Sequence, residues 1–293
     1  MPVKQLPKRA ALVVNAQSRK GRDLFAQACA LLKARGIELL EAHAVRDPKQ
    51  LRPTIRRVLA ADPPMVIVGG GDGTLSSTVD DFVAHDTVFA LLPLGTANSF
   101  ARTLGIPLEL EGAIDVIACG QRRRIDLGMI DADYFANAAA IGMSPLIAET
   151  IPHNLKRYLG RVGYLGWAAI QFLRFRPFKL TVGNETIDAV EVRIANGRFH
   201  GGTELVDDAR LDSGEIVVQA VLGDSRHRLV WSWAASIFRL RARKRTVREF
   251  HGVELRIATD PPLPISIDGE VLAHTPCTAR VAAGIIEVAA PRS

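Results

Sequence analysis

The stretch Met65-Val66-Ile67-Val68-Gly69-Gly70-Gly71-Asp72-Gly73-Thr74-Leu75 constrains this chain more than any other. Four apolar residues run directly into glycines. A continuous apolar, β-branched run of this length reads as a strand buried on both faces, and such strands belong to parallel sheets. Glycine lets a turn take conformations closed to other residues and lets a ligand touch the backbone. Leu75 to Val79 then begins a helical pattern. A helix that opens after such a turn presents free N–H groups and a positive dipole end, a combination that suits phosphate. The stretch therefore reads as strand, phosphate-binding turn, helix. The plainer alternative is an ordinary β-to-α turn, which rarely needs so many glycines and an acid in so short a span.

Two commoner glycine motifs do not fit. A Walker A loop ends in Gly-Lys-Ser/Thr, and no lysine occurs between Lys49 and Lys156. A dinucleotide fingerprint needs Gly-x-Gly-x-x-Gly and an acid after the next strand. Here Gly71 and Gly73 are followed by Ser76, and the next strand, Val88 to Leu92, runs into Pro93-Leu94-Gly95-Thr96.

The N-terminal half repeats the strand–helix theme. Ala10 to Asn15 reads as a first buried strand, followed by the polar loop Asn15 to Gly21. Leu24, Ala28, Leu31 and Leu32 mark one helix face, with Gly36 as its stop. Ile37 to Ala44 is a second strand, and Asp47-Pro48 opens a helix carrying Leu51, Ile55, Val58 and Leu59. Alternation of this kind predicts a parallel sheet with helices on both faces, with ligands bound outside the carboxyl ends of the strands. Asn15, the glycine turn and Gly95-Thr96 all fall at that edge. Thr96 and Asn98 can hydrogen-bond phosphate or ribose oxygens; the alternative for Thr96 is a cap on a helix from Ala97 to Leu104.

The alternation stops near Arg122-Arg123-Arg124-Ile125-Asp126-Leu127-Gly128. Beyond it, Tyr134–Ala140, Lys179–Val182, Ala189–Ala195, Glu215–Val221, Gly252–Ala258, Pro264–Ile267 and Thr278–Val288 read as strands, which predicts a mostly antiparallel β domain. Two helical stretches interrupt it, Leu155 to Phe178 and His227 to Arg245. Both mix arginine with aromatic residues, including Trp167, Trp231 and Trp233. They read either as cover for a sheet or as a face for an anionic membrane. Net charge of +6 agrees with an anionic partner, although no nucleic-acid-binding module is visible. Among the 293 residues, 48% are hydrophobic and 23% charged, so a folded core is expected. The three cysteines, Cys29, Cys119 and Cys277, have no metal spacing or disulfide pattern, which points to a reducing cytosol. The basic start, Met1 to Arg9, does not read as a signal peptide, and no apolar run approaches the ~20 residues of a membrane span.

With these residues in place, the chain resembles the diacylglycerol kinase catalytic family, in particular the bacterial soluble lipid kinases related to sphingosine and ceramide kinases. The resemblance rests on Gly70-Gly71-Asp72-Gly73-Thr74 and Pro93-Leu94-Gly95-Thr96-Ala97-Asn98. It continues through Arg124-Ile125-Asp126-Leu127-Gly128, Phe135-Ala136-Asn137, Ile141-Gly142, Asn196-Gly197 with Gly201-Gly202, Asp212-Ser213-Gly214 and Ile267-Asp268-Gly269-Glu270. The glycine motif alone is shared with NAD kinases and, more loosely, phosphofructokinases. The resemblance implies a nucleotide-binding α/β domain over residues 1–127 and a lipid-binding β-sandwich over 128–293, the last few residues returning to the first domain. It implies ATP and Mg²⁺, with the γ-phosphoryl group passing to a lipid hydroxyl in the cleft between the domains. Asn15, Gly70, Gly71, Asp72, Gly73, Thr74, Thr96 and Asn98 would surround the nucleotide. Asp268 and Glu270 would activate the hydroxyl, with Glu270 the preferred base; Asp72 would act through Mg²⁺, a base role for it being the main competing assignment.

The sequence departs from the family pattern at Ala16, where proline is frequent, and at Ser77, Ser99 and Ser213, where acids are frequent. A serine oxygen is a poor substitute for a carboxylate on Mg²⁺, so a structural metal site at Asp212, Ser213 and Glu215 is in doubt. The expectation is a cytoplasmic, peripherally membrane-associated lipid kinase with no nucleic-acid partner and its oligomeric state open. The rival readings are an NAD kinase-like enzyme and a non-catalytic nucleotide or lipid sensor.

Overall fold

The computed structural model describes residues 5–17, 19–150, 166–225, 227–229, 246–268 and 270–292. The buried runs of the N-terminal half form β1 (Arg9–Asn15), β2 (Glu38–Val45), β3 (Met65–Gly70) and β4 (Val88–Pro93), a parallel sheet in the order β2-β1-β3-β4. β3 and β4 are buried at every position, as their lack of polar alternation requires. Helices α1 (Arg19–Ala34), α2 (Leu51–Leu59) and α5 (Leu110–Cys119) pack on this sheet, and two short helices, α3 (Asp72–Ser76) and α4 (Ser99–Leu104), follow the two glycine loops. Gly36 stops α1 at φ +78°. Asp47 accepts from the Lys49 amide at 3.0 Å and starts the turn that leads into α2. Leu12, Ile67, Leu92 and Phe100 belong to the continuous core beneath these elements.

The second half is antiparallel. β7 (Ala138–Gly142), β8 (Phe178–Val182), β9 (Glu185–Ala195), β14 (Glu254–Asp260), β15 (Pro264–Ile267), β16 (Glu270–His274) and β17 (Cys277–Ala290) run side by side in the order β16-β15-β7-β9-β8-β14-β17. β12 (Ile216–Leu222) pairs with β9, and β13 (Val247–Gly252) pairs with β12. One face carries its own core, with Ile141, Val192, Ile194, Val218, Ile265 and Ile267, and α6 (Met143–Thr150) lies against it. Two shorter strands, β10 (Phe199–His200) and β11 (Thr203–Glu204), form a separate hairpin.

The two halves share strands. β5 (Gln121–Ile130) pairs with β6 (Asp133–Phe135) and, over much of its length, with β17. At Val288, β17 lies parallel to β4 beside Phe89, so the last strand extends the first sheet. Asp126 fastens this junction: it is 4% exposed, and its carboxylate accepts from the amides of Gly214 and Gly284, both at 2.7 Å. A buried carboxylate is tolerated here because both oxygens are hydrogen-bonded.

Several elements depart from the sequence reading. The strand expected over Tyr134–Ala140 is broken at Ala136-Asn137, whose backbone serves the site described below. Gly252–Ala258 contributes to two strands that turn at Val253, which is 64% exposed. The helix after the glycine turn begins at Asp72 and lasts five residues, and the helix expected from Ala97 begins at Ser99. Of the two basic aromatic stretches, 166–174 is helical, whereas Arg157 and Arg161, and Trp231, Trp233, Phe238, Arg241 and Arg243, lie outside the described residues. No helix among the described residues is long and apolar enough to cross a membrane.

Candidate active site

The two glycine loops meet backbone to backbone at the carboxyl edge of β3 and β4. The Leu94 amide donates to Gly70 O at 2.9 Å. A Cβ on Gly71 would sit 2.9 Å from Gly95 Cα, and a Cβ on Gly95 would sit 2.5 Å from Gly71 Cα. Neither position has room for a side chain. Gly73, in contrast, is exposed and faces open space, which leaves that part of the turn able to receive a ligand. Asn15 at the end of β1 donates through Nδ2 to Thr74 Oγ1 at 3.3 Å, so the third loop is tied to the same edge.

Asn98 has a different part from the one its chemistry first suggests. It adopts φ +48° and ends the loop before α4. Its Oδ1 accepts from the Gly95 amide at 3.0 Å and its Nδ2 donates to Gly95 O at 2.9 Å. It is 5% exposed and shapes the loop, while Thr96 beside it is exposed and does not cap α4. Because α3 has five residues and α4 six, their macrodipoles are small; an anion at this edge would have to be met by the turn's backbone N–H groups.

The second domain reaches over the same loops. Gly202, in the β10–β11 turn, donates its amide to Ser99 Oγ at 3.0 Å. Asn137 receives the Thr103 hydroxyl at 3.1 Å and donates to Phe199 O, clamping α4 to β10. Asp72 accepts from the Phe100 amide through Oδ1 at 3.4 Å. Its Oδ2 has no protein partner among the described residues and is not sealed from solvent.

Asp268 approaches from the end of β15 at φ +44°. Its oxygens accept from the amides of Ala136 (3.0 Å) and Ala138 (3.1 Å), which accounts for the break between β6 and β7. Little of its surface reaches solvent, and that burial pushes its carboxyl up to about 6; the surrounding backbone N–H donors pull it down, and the charge of Asp72 pushes it further up. Asp72 and Asp268, from the two domains, are thus within electrostatic reach of each other. His200 joins them: burial lowers its imidazole, with Glu191 and Asp72 opposing that shift and Arg193 adding to it. It is a neutral ring near neutral pH.

Glu270 differs from Asp268 in its surroundings. It opens β16 opposite Ile267, is exposed, and has no hydrogen-bond or ion-pair partner among the described residues; Gly269 lies outside them. The Asp212, Ser213 and Glu215 set does not fit a metal. Asp212 binds Arg123 at 2.7 Å and Arg210 at 3.3 Å. Burial pushes its carboxyl up, but the hydrogen bond and charge of Arg123, then of Arg210, hold it below the usual range. The Ser213 hydroxyl donates to the carbonyls of Arg210 and Glu215, at 3.0 and 3.3 Å, and Glu215 faces His251 at 3.9 Å. Guanidinium groups occupy the place where a cation would sit. No trio of His, Cys, Asp or Glu able to hold a metal occurs among the described residues. Asp72 Oδ2 is different: Mg²⁺ commonly takes one or two carboxylates with phosphate oxygens and water, and this oxygen is placed for that use.

Comparison with known proteins agrees with this two-domain site. Residues 9–130 match the model of the diacylglycerol kinase catalytic domain, and residues 137–290 match that of the YegS C-terminal NAD kinase beta sandwich-like domain. The chain belongs to the diacylglycerol kinase family of lipid kinases. Within this family, it is 27% identical to the diacylglycerol kinase of Staphylococcus carnosus, over 97% of this chain and 96% of the relative. It is 29% identical to a protein of Pseudomonas savastanoi pv. phaseolicola named "Probable lipid kinase YegS-like", over 97% of this chain and 94% of that one. A crystal structure of a diacylglycerol kinase from Bacillus anthracis superposes with a TM-score of 0.73 at 19% identity, covering 97% of each chain; at that identity it attests the fold.

Three residues at the site were not singled out from sequence, Glu191, Arg193 and His200, while Asn137 was read only as part of the Phe135-Ala136-Asn137 motif. The available signal was Glu191 and Arg193 themselves, two charges at alternate positions of the otherwise apolar run Ala189–Ala195. That pattern places both on one face of the sheet.

Proposed function

We propose that this lipid kinase transfers the γ-phosphoryl group of ATP to the hydroxyl of diacylglycerol or a closely related neutral lipid alcohol, at a membrane surface it contacts peripherally. The observation that carries the reading is the meeting of the glycine loops with Asp72 on one domain and the Asp268 turn on the other. Phosphoryl transfer needs positioning, charge neutralisation and a group to take the hydroxyl proton. The Gly70–Thr74 turn, with exposed Gly73 and Thr96 beside it, supplies backbone N–H groups for phosphates. Asp72 would hold Mg²⁺, which neutralises charge on the phosphates. Asp268 is committed to the amides of Ala136 and Ala138 and orients the turn. Glu270, with its carboxylate unengaged, takes the proton.

One observation favours a second assignment within the same reaction. Asp268 lies within electrostatic reach of Asp72, and its carboxyl near 6 suits a base at neutral pH. Activity of Glu270→Gln separates the two. The kinase reading itself is tested by presenting γ-labelled ATP and Mg²⁺ with a panel of neutral and anionic lipids and NAD. Label in a neutral glycerolipid is the expected result. Label in NAD alone would assign the chain to NAD phosphorylation, and ATP binding with no labelled product would leave the sensor reading.

A further inference from the structure

The face of the second sheet that looks away from its apolar core carries an unusual row. Val192, Ile194, Ala139, Ile141, Ile265 and Ile267 point into that core, so their strand neighbours Arg193, Ala138, Ala140 and Ser266 point the other way. Register aligns Glu249, Gln219, Arg193, Ala140 and Ser266 directly across five strands. Arg193, only 3% exposed, stands at the centre of the row. The two positions on one side of it, Ala140 and Ser266, are small, and Asp268 lies two residues beyond Ser266.

Arg193 is held rigidly. Its Nε donates to Glu191 Oε1 at 2.9 Å and its Nη1 to Gln219 Oε1 at 3.0 Å; Gln219 in turn donates to Glu249 Oε1 at 2.6 Å. Its Nη2 has no acceptor among the described residues. A guanidinium fixed on two sides with a donor left over is pre-organised to receive one more oxygen. Arg193 lies directly across from Ala140, two residues from Ala138, whose amide Asp268 accepts, so this row borders the Asp268 turn. Arg193 is already ion-paired with Glu191, so its remaining donor suits an uncharged oxygen better than a second full negative charge.

We propose that Arg193 is a substrate-positioning residue, its Nη2 donating to an uncharged ester carbonyl next to the accepting hydroxyl, so that the site selects neutral ester glycerolipids over anionic ones. This rests on the kinase reading above and names how its acceptor is recognised.

The test compares three probes in mixed micelles: a short-chain diacylglycerol, the matching dialkyl glycerol, which keeps the hydroxyl and lacks the carbonyls, and a short-chain phosphatidylglycerol. Arg193→Lys keeps a charge for Glu191 and removes the fork. It should raise KM for diacylglycerol about tenfold, the scale of one charge-assisted hydrogen bond, with kcat within about threefold and KM for the dialkyl lipid unchanged. The unaltered protein, which needs no variant to fold, should already bind the dialkyl lipid about tenfold more weakly than diacylglycerol. Equal effects on both lipids, an unchanged KM, or a preference for phosphatidylglycerol would overturn the inference while leaving the kinase reading intact. If no lipid is labelled, the kinase reading fails; equilibrium binding of the ester and ether lipids without ATP then decides the role of Arg193, and equal binding would overturn it.

Discussion

Gly95→Ala isolates the contact on which the nucleotide loops depend. Gly95 does not lie in the positive-φ region, so alanine brings no backbone strain and its whole effect is steric. The new Cβ would stand 2.5 Å from Gly71 Cα and 2.8 Å from Asn98 Oδ1. An ordinary carbon–carbon contact needs roughly 3.5 Å or more, so the two loops must part by about 1 Å. Neither neighbour can yield cheaply, since one is backbone and the other is pinned by two hydrogen bonds to Gly95 itself. Overpacking of this kind costs about 1–3 kcal/mol, and a displacement near 1 Å at a phosphoryl-transfer site costs on the order of 100-fold in rate. The expected result is a folded protein with a modestly lower Tm, and kcat/KM for ATP reduced about 100-fold. Gly73→Ala is the control: a Cβ there meets nothing within 4 Å, so its Tm should be unchanged, and any loss should appear in nucleotide affinity. Full activity in Gly95→Ala would refute the claim that backbone apposition of the two loops builds the site.

Other outcomes follow from the same geometry. Asp72→Asn should abolish turnover by removing the carboxylate offered to Mg²⁺; unchanged activity would remove it from the site. Asp268 binds its proton more tightly in the folded state, near 6, than its usual value of 3.8. Its contribution to stability therefore falls as pH rises from about 4 through 6, by on the order of 3 kcal/mol in total. Denaturant titrations of the unaltered protein and Asp268→Asn should show their difference shifting in that window, in favour of the unaltered protein at the acid end; a pH-independent difference would contradict it. Because arginines hold Asp212, the Mg²⁺ dependence of Tm should be the same for the unaltered protein and Asp212→Ala, whereas loss of a Mg²⁺-induced rise in the variant would restore a metal to that loop. Charge reversal at Arg241 and Arg243 should weaken binding to anionic vesicles, and equal binding would return that stretch to a structural role.

The fold was legible where burial writes itself into runs of residues. β3 and β4, buried at every position, appear in the sequence as unbroken apolar stretches, and the antiparallel half as short strands between turn residues. What escaped was set by partners distant in sequence. The break at Ala136-Asn137 exists because Asp268, far along the chain, takes two of the amides there. β16, with its alternating exposure at a sheet edge, offers too weak an apolar signal to read. At the site, glycine positions were informative because only glycine fits between apposed backbones. The part played by Asn98 was not, since a side chain able to bind ribose is equally able to clasp its own loop. Asp268 and Glu270 likewise look equivalent in sequence, and only the hydrogen bonds to Asp268 distinguish an engaged carboxylate from a free one.

The most direct test of the account is transfer of label from γ-labelled ATP to diacylglycerol by the unaltered protein and by Glu270→Gln, with ATP affinity measured alongside. Labelled lipid is expected from the first, a loss of at least 100-fold in the second, and equal ATP affinity in both. Equal labelling by the two proteins would contradict Glu270 as the proton acceptor, and ATP binding without labelled lipid from either would contradict the kinase itself.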